Sequence, residues 1–268
     1  MKNKWVVFAG LSLVLGIVGF DVGSIYQSKR YIASNKGVSN SDFPLRPEQK
    51  FYLLTRSSSS VVFASDDDSC VFKLFINKPY QSSWRKYIPF LSQLSKTRKY
   101  YKTRKDRLTA CANAQALLPD QTAVLYYHLA PTDCIGWKIK LYGECGAVFT
   151  VDLDQAEYYI QRKAIVASEY FKTVALDKAQ TALSKLIAFT KERYSAGIVM
   201  VDLQLESNFG FIDDEPVRLD IEHLRRDSKW VKNHHQHFAE QTASFRRWLE
   251  YNRPQLLGHY DAILKPFF

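Results

Sequence analysis

The sequence predicts an α+β protein of two lobes, a strand-rich half followed by a helix-rich half, behind a hydrophobic N-terminal segment. Three observations carry this. Short apolar runs separated by turn residues crowd residues 50–76 and 122–152. One long stretch, "DKAQTALSKLIAFTKERYSAG" (177–197), has the 3.6-residue period of an amphipathic helix. Two more short strand signals, "FGFI" and "VRLDI", are joined by the turn-forming "DDEP". The chain divides into a hydrophobic anchor or signal (1–22), a Ser/Asn-rich tether (23–48), a strand-rich lobe with a basic helix (49–150) and a helical lobe holding the hairpin (151–268). A cleft between two such lobes is the natural place for a ligand.

At the N-terminus, Lys2 and Lys4 precede "WVVFAGLSLVLGIVGF", sixteen residues without a charge, and Asp21 ends the run. A spanning helix needs about 20 residues and a signal-peptide core about 7–15. The first expectation is a single-pass membrane anchor. Export by a cleaved signal is the alternative, and a buried helix the third reading. Basic residues flank both ends of the run (Lys29, Arg30 and Lys36 follow), so the side of the membrane is not set by charge.

Within the first lobe, "KFYLLT", "VVFAS" and "CVFKLFI" read as three strands joined by "RSSSS" and "DDDS". Residues 84–118 read as strongly basic helix. Nine Lys/Arg fall within 84–107 (Arg85, Lys86, Lys96, Arg98, Lys99, Lys102, Arg104, Lys105, Arg107) against the single acid Asp106, with Tyr87, Tyr100 and Tyr101 interleaved. Such a stretch suits a solvated helix face, an anionic membrane surface at about 1 kcal/mol per basic residue, or nucleic acid held by phosphate contacts and stacking. Beside an anchor, lipid ranks above nucleic acid. "TAVLYYHL", "WKIKLYG" and "VFTVDL" then read as further strands. In the long helix, Ala179, Leu183, Leu186, Ile187 and Tyr194 share one stripe, Asp177 supports the N-terminus, and Gly197 can close the C-terminus. The aromatic-rich remainder from Lys229 is mostly helical in pattern.

Composition bounds the chemistry. With 46% hydrophobic and 24% charged residues the chain is globular, and its net charge of +10 favours anionic partners. Cys70, Cys111, Cys134 and Cys145 show no CxxC spacing, which argues against zinc. His234, His235 and His237 stand too close together to face one another on a helix. No GxSxG is present, so a serine-hydrolase elbow is excluded.

Lys73 stands in the middle of an apolar strand, on one face with Val71 and Phe75. It must either snorkel to water at a sheet edge or meet an anion. Asp202, Asn208 and Asp220 flank the later hairpin signal; they read as turn residues, or as hard oxygen donors gathered for a metal and a polyphosphate.

On these residues the chain resembles protein-kinase-like folds, and more narrowly a group of divergent bacterial kinase-like proteins. "VFKLF" looks like their third strand, and the helix ending at Gly197, then Asp202, Asn208 and the hairpin to Asp220, resembles their helix, catalytic loop and metal-binding Asp. The resemblance covers residues 50–225. It implies that Lys73, with Val71 on the same face, binds ATP, and that Asp202 is the base or positioning carboxylate for an attacking hydroxyl. It implies that Asn208 and Asp220 hold magnesium.

The departures are several. "TRSSSSVVFAS" stands in place of a glycine-rich loop, and no His-Arg precedes Asp202. The Asp-to-Asn spacing is one longer than kinases commonly have. "DIE" replaces "DFG", putting Glu222 where glycine is expected, and "LTACANAQALL" offers Lys73 no helical Glu. The expected function is accordingly a membrane-tethered kinase-like protein that binds nucleotide and transfers phosphate. The alternatives are an inactive pseudokinase-type scaffold for an unknown protein partner, and a basic lipid- or nucleic-acid-binding protein of unrelated α+β fold.

Overall fold

β1 (Lys50–Arg56), β2 (Ser60–Ser65) and β3 (Cys70–Phe75) pair antiparallel in succession, as their turn-bounded apolar runs predict. The computed structural model describes residues 43–57, 60–75, 106, 109–111, 113–114, 118–199, 204–222, 224–226 and 234–267. The β2–β3 turn is built by its acids. Asp67 accepts hydrogen bonds from the Ser65 and Ser69 hydroxyls, both at 2.7 Å, and these two bonds, with lesser contributions, hold its carboxyl down at about 2.

A single helical turn, α1 (Pro119–Thr122), leads into β4 (Val124–His128), and β5 (Lys138–Tyr142), β6 (Val148–Asp152) and β7 (Tyr158–Arg162) follow. Together these strands form a seven-stranded sheet in the order β4-β7-β3-β2-β1-β5-β6, antiparallel except for β1 beside β5. β7 falls where the sequence analysis assigns no element. It inserts between β3 and β4, so the sheet runs on past residue 150, where the sequence places the lobe boundary.

The β5–β6 hairpin is tied to the rest by Asp154. Its carboxylate accepts the Thr132 hydroxyl at 2.5 Å and the backbone N–H groups of Cys134, Ile135 and Gly136 at 3.1, 3.1 and 2.6 Å. Burial alone would raise this carboxyl; those four donors outweigh it and leave it below the usual carboxylate range.

The second half runs β8 (Ile165–Val166), α2 (Ala167–Thr173), α3 (Leu176–Ser195), β9 (Ile198–Val199), α4 (Leu205–Asn208), β10 (Phe209–Ile212), β11 (Glu215–Arg218), β12 (Arg225–Arg226), α5 (His234–Asn252) and α6 (Leu257–Leu264). The predicted stripe of α3 is buried throughout, and Gly197 takes the left-handed φ of +70° that a helix C-terminus favours. α3, α5 and α6 close around Phe171, Phe209, Phe211 and Phe245 in one core. A second core lies on one face of the large sheet, where Phe51, Phe72, Ile139 and Ile160 meet. A third joins the two halves: Phe75 and Tyr159 from the sheet pack with Cys111, Ile198, Ile221 and Leu224.

Two expectations change in position. The second hairpin strand, read from "VRLDI", is Glu215–Arg218, which leaves Asp220 beyond the strand end. The reason is local: side chains, not a neighbouring strand, take up the carbonyls of residues 219 and 220, as described below. Of the basic helix, residues 109–111 and 113–114 are helical and the remaining described residue of the stretch before them, Asp106, is helical too; the Lys/Arg residues lie outside the described residues. So does the apolar run 5–20. Among the described residues no helix is long and apolar enough to cross a membrane.

Candidate functional site

The β10–β11 hairpin is tight because Asp213 and Asp214 adopt positive φ values of 53° and 63°, a conformation that Asp tolerates better than most residues. Its register sets Phe209 opposite Arg218, and the Leu219 N–H donates to the Asn208 carbonyl at 2.9 Å. Asn208 and Leu219 are therefore neighbours across the hairpin mouth, with Asp220 next in the chain.

Lys73 reaches this mouth from β3. Its Nζ donates to the Leu219 carbonyl at 2.6 Å and lies 5.2 Å from the ring centroid of Tyr159, its cross-strand partner on β7. Burial lowers the Lys73 ammonium from its ordinary 10.5 to about 8, and the Asp220 and Glu222 carboxylates keep it from falling further. The same surroundings hold the fully buried Tyr159 hydroxyl protonated: burial, then the two carboxylates, raises it well above its ordinary range.

Residues 218–222 are held by several hydrogen bonds. The Arg218 Nε donates to the Asp220 carbonyl at 2.7 Å, and its guanidinium covers the Phe209 ring at 4.9 Å. Gln161 of β7 donates to the Arg218 carbonyl at 2.7 Å and to Thr122 at 2.5 Å. The Glu222 N–H donates back to Asp220 Oδ1 at 3.0 Å, closing an Asx turn. From the helical stretch, Asn113 Nδ2 donates to the Leu224 carbonyl at 3.3 Å.

Of the sequence-derived candidates, Lys73, Asn208 and Asp220 therefore come together from segments far apart in the chain. Val71, buried, lies two residues earlier on β3 opposite Ala64 and Gln161. Asp202 lies outside the described residues. Tyr159, Gln161 and Arg218 belong to the same locus and were not singled out from sequence. For Tyr159 and Gln161 the signal, the run "YYIQR" between "DLDQ" and Lys163, marks a strand but not its neighbours.

The donor set suits a hard cation. Asp220 and Asn208 offer carboxylate and amide oxygens, and the buried Asn208 Nδ2 has no hydrogen-bond partner. Rotating the amide by half a turn puts its oxygen there, where a cation would satisfy it. Among the described residues no three His, Cys, Asp or Glu side chains gather. A cation here would lean on phosphate oxygens as well, the usual situation for magnesium.

Ser57 and Ser60 bond each other at the β1–β2 tip, Ser57 N to Ser60 O at 2.8 Å and Ser60 N to Ser57 Oγ at 2.9 Å.

No protein-family model matches the chain, and no curated protein matches it. Solved structures do. A structure of the bifunctional kinase-methyltransferase WbdD is 14% identical, with a TM-score of 0.41, over 79% of this chain and 45% of that one. A second WbdD structure gives 13% identity and a TM-score of 0.38 over 77% of this chain and 43% of that one. The ROP18 kinase domain, in complex with AMP-PNP and sucrose, gives 14% and 0.32 over 74% and 65%. The chain thus spans under half the length of the WbdD structures it matches. At these TM-scores the likeness carries no argument about this chain.

Proposed function

We propose that the protein is a divergent kinase-like protein that binds ATP with magnesium beside Lys73 and transfers phosphate to a hydroxyl. One observation carries the reading: a half-buried lysine on the third strand meets the segment holding Asp220, with Asn208 across the hairpin mouth. Phosphoryl transfer asks the protein mainly for positioning and charge, and a cation on the phosphates, metal-holding oxygens and a carboxylate for the acceptor hydroxyl supply both.

In this reading Lys73 pairs with the phosphates and Val71 lines the nucleotide. Asn208 and Asp220 hold magnesium, which would neutralise phosphate charge. Asp202 orients the attacking hydroxyl. Residues 5–20 tether the chain to a membrane, and residues 84–107 lie on anionic lipid; nucleic acid is the competing partner for that stretch.

A second reading, a nucleotide-binding scaffold without transfer, is favoured by the Ser57–Ser60 contact, in which the Ser57 and Ser60 N–H groups are already bonded to each other's residue. Thermal melting of the full chain with ATP, with and without magnesium, tests the first step. A magnesium-dependent rise in Tm, absent in Lys73→Met, supports nucleotide binding. No rise in either protein overturns it. A rise without label transfer from γ-labelled ATP leaves the scaffold.

A further inference from the structure

We propose that β6 is a docking strand for a second copy of this chain, joined to it antiparallel, edge to edge, about a two-fold axis through Phe149. The proposal is independent of the nucleotide reading and uses none of its residues.

β6 ends the seven-stranded sheet, and among the described residues only β5 pairs with it. Two backbone bonds fix which of its groups face outward. The Gly143 N–H donates to the Ala147 carbonyl at 2.7 Å, and the Leu153 N–H donates to the Trp137 carbonyl at 3.0 Å. Antiparallel alternation then turns the main-chain groups of residues 147, 149, 151 and 153 toward β5, and those of Val148, Thr150 and Asp152 away from it. The Asp152 carbonyl is already taken by the Gln155 and Ala156 N–H groups, at 3.2 and 3.1 Å. Val148 and Thr150 therefore present two N–H and two C=O groups along the outer edge.

Proteins blunt such an edge with lysine, proline or a bulge. This one has none of them. The run "AVFTV" (147–151) carries no charge and no proline, and β6 pairs with β5 in unbroken register. Val148 and Phe149 on it are 51% and 52% exposed.

The strand is its own complement, as an isologous interface requires. A two-fold axis at Phe149 sets Val148 opposite Thr150 of the second copy, and Thr150 opposite its Val148. The outward groups of each copy then meet those of the other as hydrogen-bonded pairs. Phe149 faces Phe149 of the second copy in a close pair without backbone bonds, and Ala147 faces Val151 of the second copy. An axis at Thr150 would instead set Val148 against Asp152, whose carbonyl is occupied. The registers also place Val148, Tyr142, Tyr52, Ala64 and Val71 on the sheet face that carries Lys73. A two-fold axis normal to the sheet keeps that face on the same side in both copies. β2, β1 and β5 separate β6 from β3, so Lys73 lies clear of the join.

Light scattering of the full chain in detergent micelles should give the protein mass of two chains. Thr150→Pro removes an outward N–H, a change that an edge strand tolerates, and Phe149→Lys sets like charges against each other. Each should weaken association about 30-fold or more while leaving the monomer's melting unchanged. A cross-link serves where either variant fails to fold. With the exposed Cys134 and Cys145 both changed to Ser, Phe149→Cys should oxidise to a covalent dimer and Asp152→Cys should not, because only the first lies within disulfide reach across this axis. A single-chain mass for the wild type would overturn the proposal. So would a dimer that survives both substitutions, which would assign association to another surface, or a cross-link through Asp152→Cys without one through Phe149→Cys.

Discussion

Lys73 Nζ donates a 2.6 Å hydrogen bond to the carbonyl of Leu219, 146 residues further along the chain. This contact joins the seven-stranded sheet to the β10–β11 hairpin. It also means that the lysine does not snorkel out to bulk water, the plainer of the two sequence expectations. The ammonium is held between a backbone carbonyl, the face of Tyr159 and the field of two carboxylates.

That environment predicts a pH signature. With the Lys73 ammonium at about 8 when folded and near 10.5 when unfolded, both states are protonated below pH 8, where the burial penalty is fully present. Between about pH 8 and 10.5 the unfolded chain binds more protons, so stability should rise with pH relative to Lys73→Met, by about 3 kcal/mol in all. Chemical denaturation at pH 7, 8.5 and 10 measures the difference; parallel curves for the two proteins would refute it. ATP affinity should move the other way and weaken as pH rises through 8, because the phosphates lose their cation.

Asp154 predicts a second dependence, in the acid range. Replacing it with Asn sets an amide against four donors and should cost about 2–3 kcal/mol at pH 7. The folded carboxyl lies below its ordinary 3.8, so its contribution is present above that value and is lost as pH falls through the folded pKa. Thermal melts of Asp154→Asn and wild type should differ clearly at pH 7 and converge at pH 2. A constant difference across that range would show that the bonds, not the charge, set the effect.

Gly210 offers a test of the hairpin seating. A Cβ there would stand 2.7 Å from the Ile165 carbonyl and 3.2 Å from Leu219 Cδ2, so β8 or the hairpin must shift. Gly210→Ala should lose about 2 kcal/mol or more of stability and also weaken nucleotide binding, since Leu219 is the carbonyl that Lys73 holds. Unchanged melting would mean that the contact relaxes freely.

The membrane reading makes its own prediction. With sixteen uncharged residues from Trp5 to Phe20, the full chain should stay in the membrane fraction after a carbonate wash, and a chain beginning at Ser41 should not. Release of the unprocessed full chain by carbonate would end the anchor proposal.

The legible parts of the sequence were those where a local pattern decides the structure. The α3 stripe, the Asp-rich turns and the first three strands are written in periodicity and turn chemistry, and all appear at or near their expected bounds. β7 was illegible because its neighbours are fixed by non-local pairing. "YYIQR" alternates no polarity, since Tyr158, Tyr159, Ile160 and Gln161 are all buried, and nothing in it names β3 and β4 as partners. Lys73, Asn208 and Asp220 could be proposed from residue type and order. Arg218 and Gln161 could not, because they act on the backbone of the 218–220 segment, and a side chain's backbone partner leaves no trace in sequence.

The sharpest remaining prediction concerns the oxygens at the hairpin mouth. If Asp220 and Asn208 hold magnesium, Asp220→Asn should abolish the magnesium dependence of any ATP-induced rise in Tm while leaving a weaker, metal-independent rise carried by Lys73. Asn208→Leu removes the other oxygen and also the orphaned buried amide nitrogen. It should therefore cost binding while leaving the ligand-free protein as stable as wild type, or slightly more so, because burying an unpaired polar atom is unfavourable. That split between lost metal response and kept stability is what a merely structural asparagine cannot produce. Calorimetric titration of magnesium into the ATP-loaded protein, with equilibrium melting of the same three proteins, reads both halves. Should Asn208→Leu lose stability and keep its magnesium response, Asn208 is a hairpin-mouth residue and the metal reading falls to Asp220 alone.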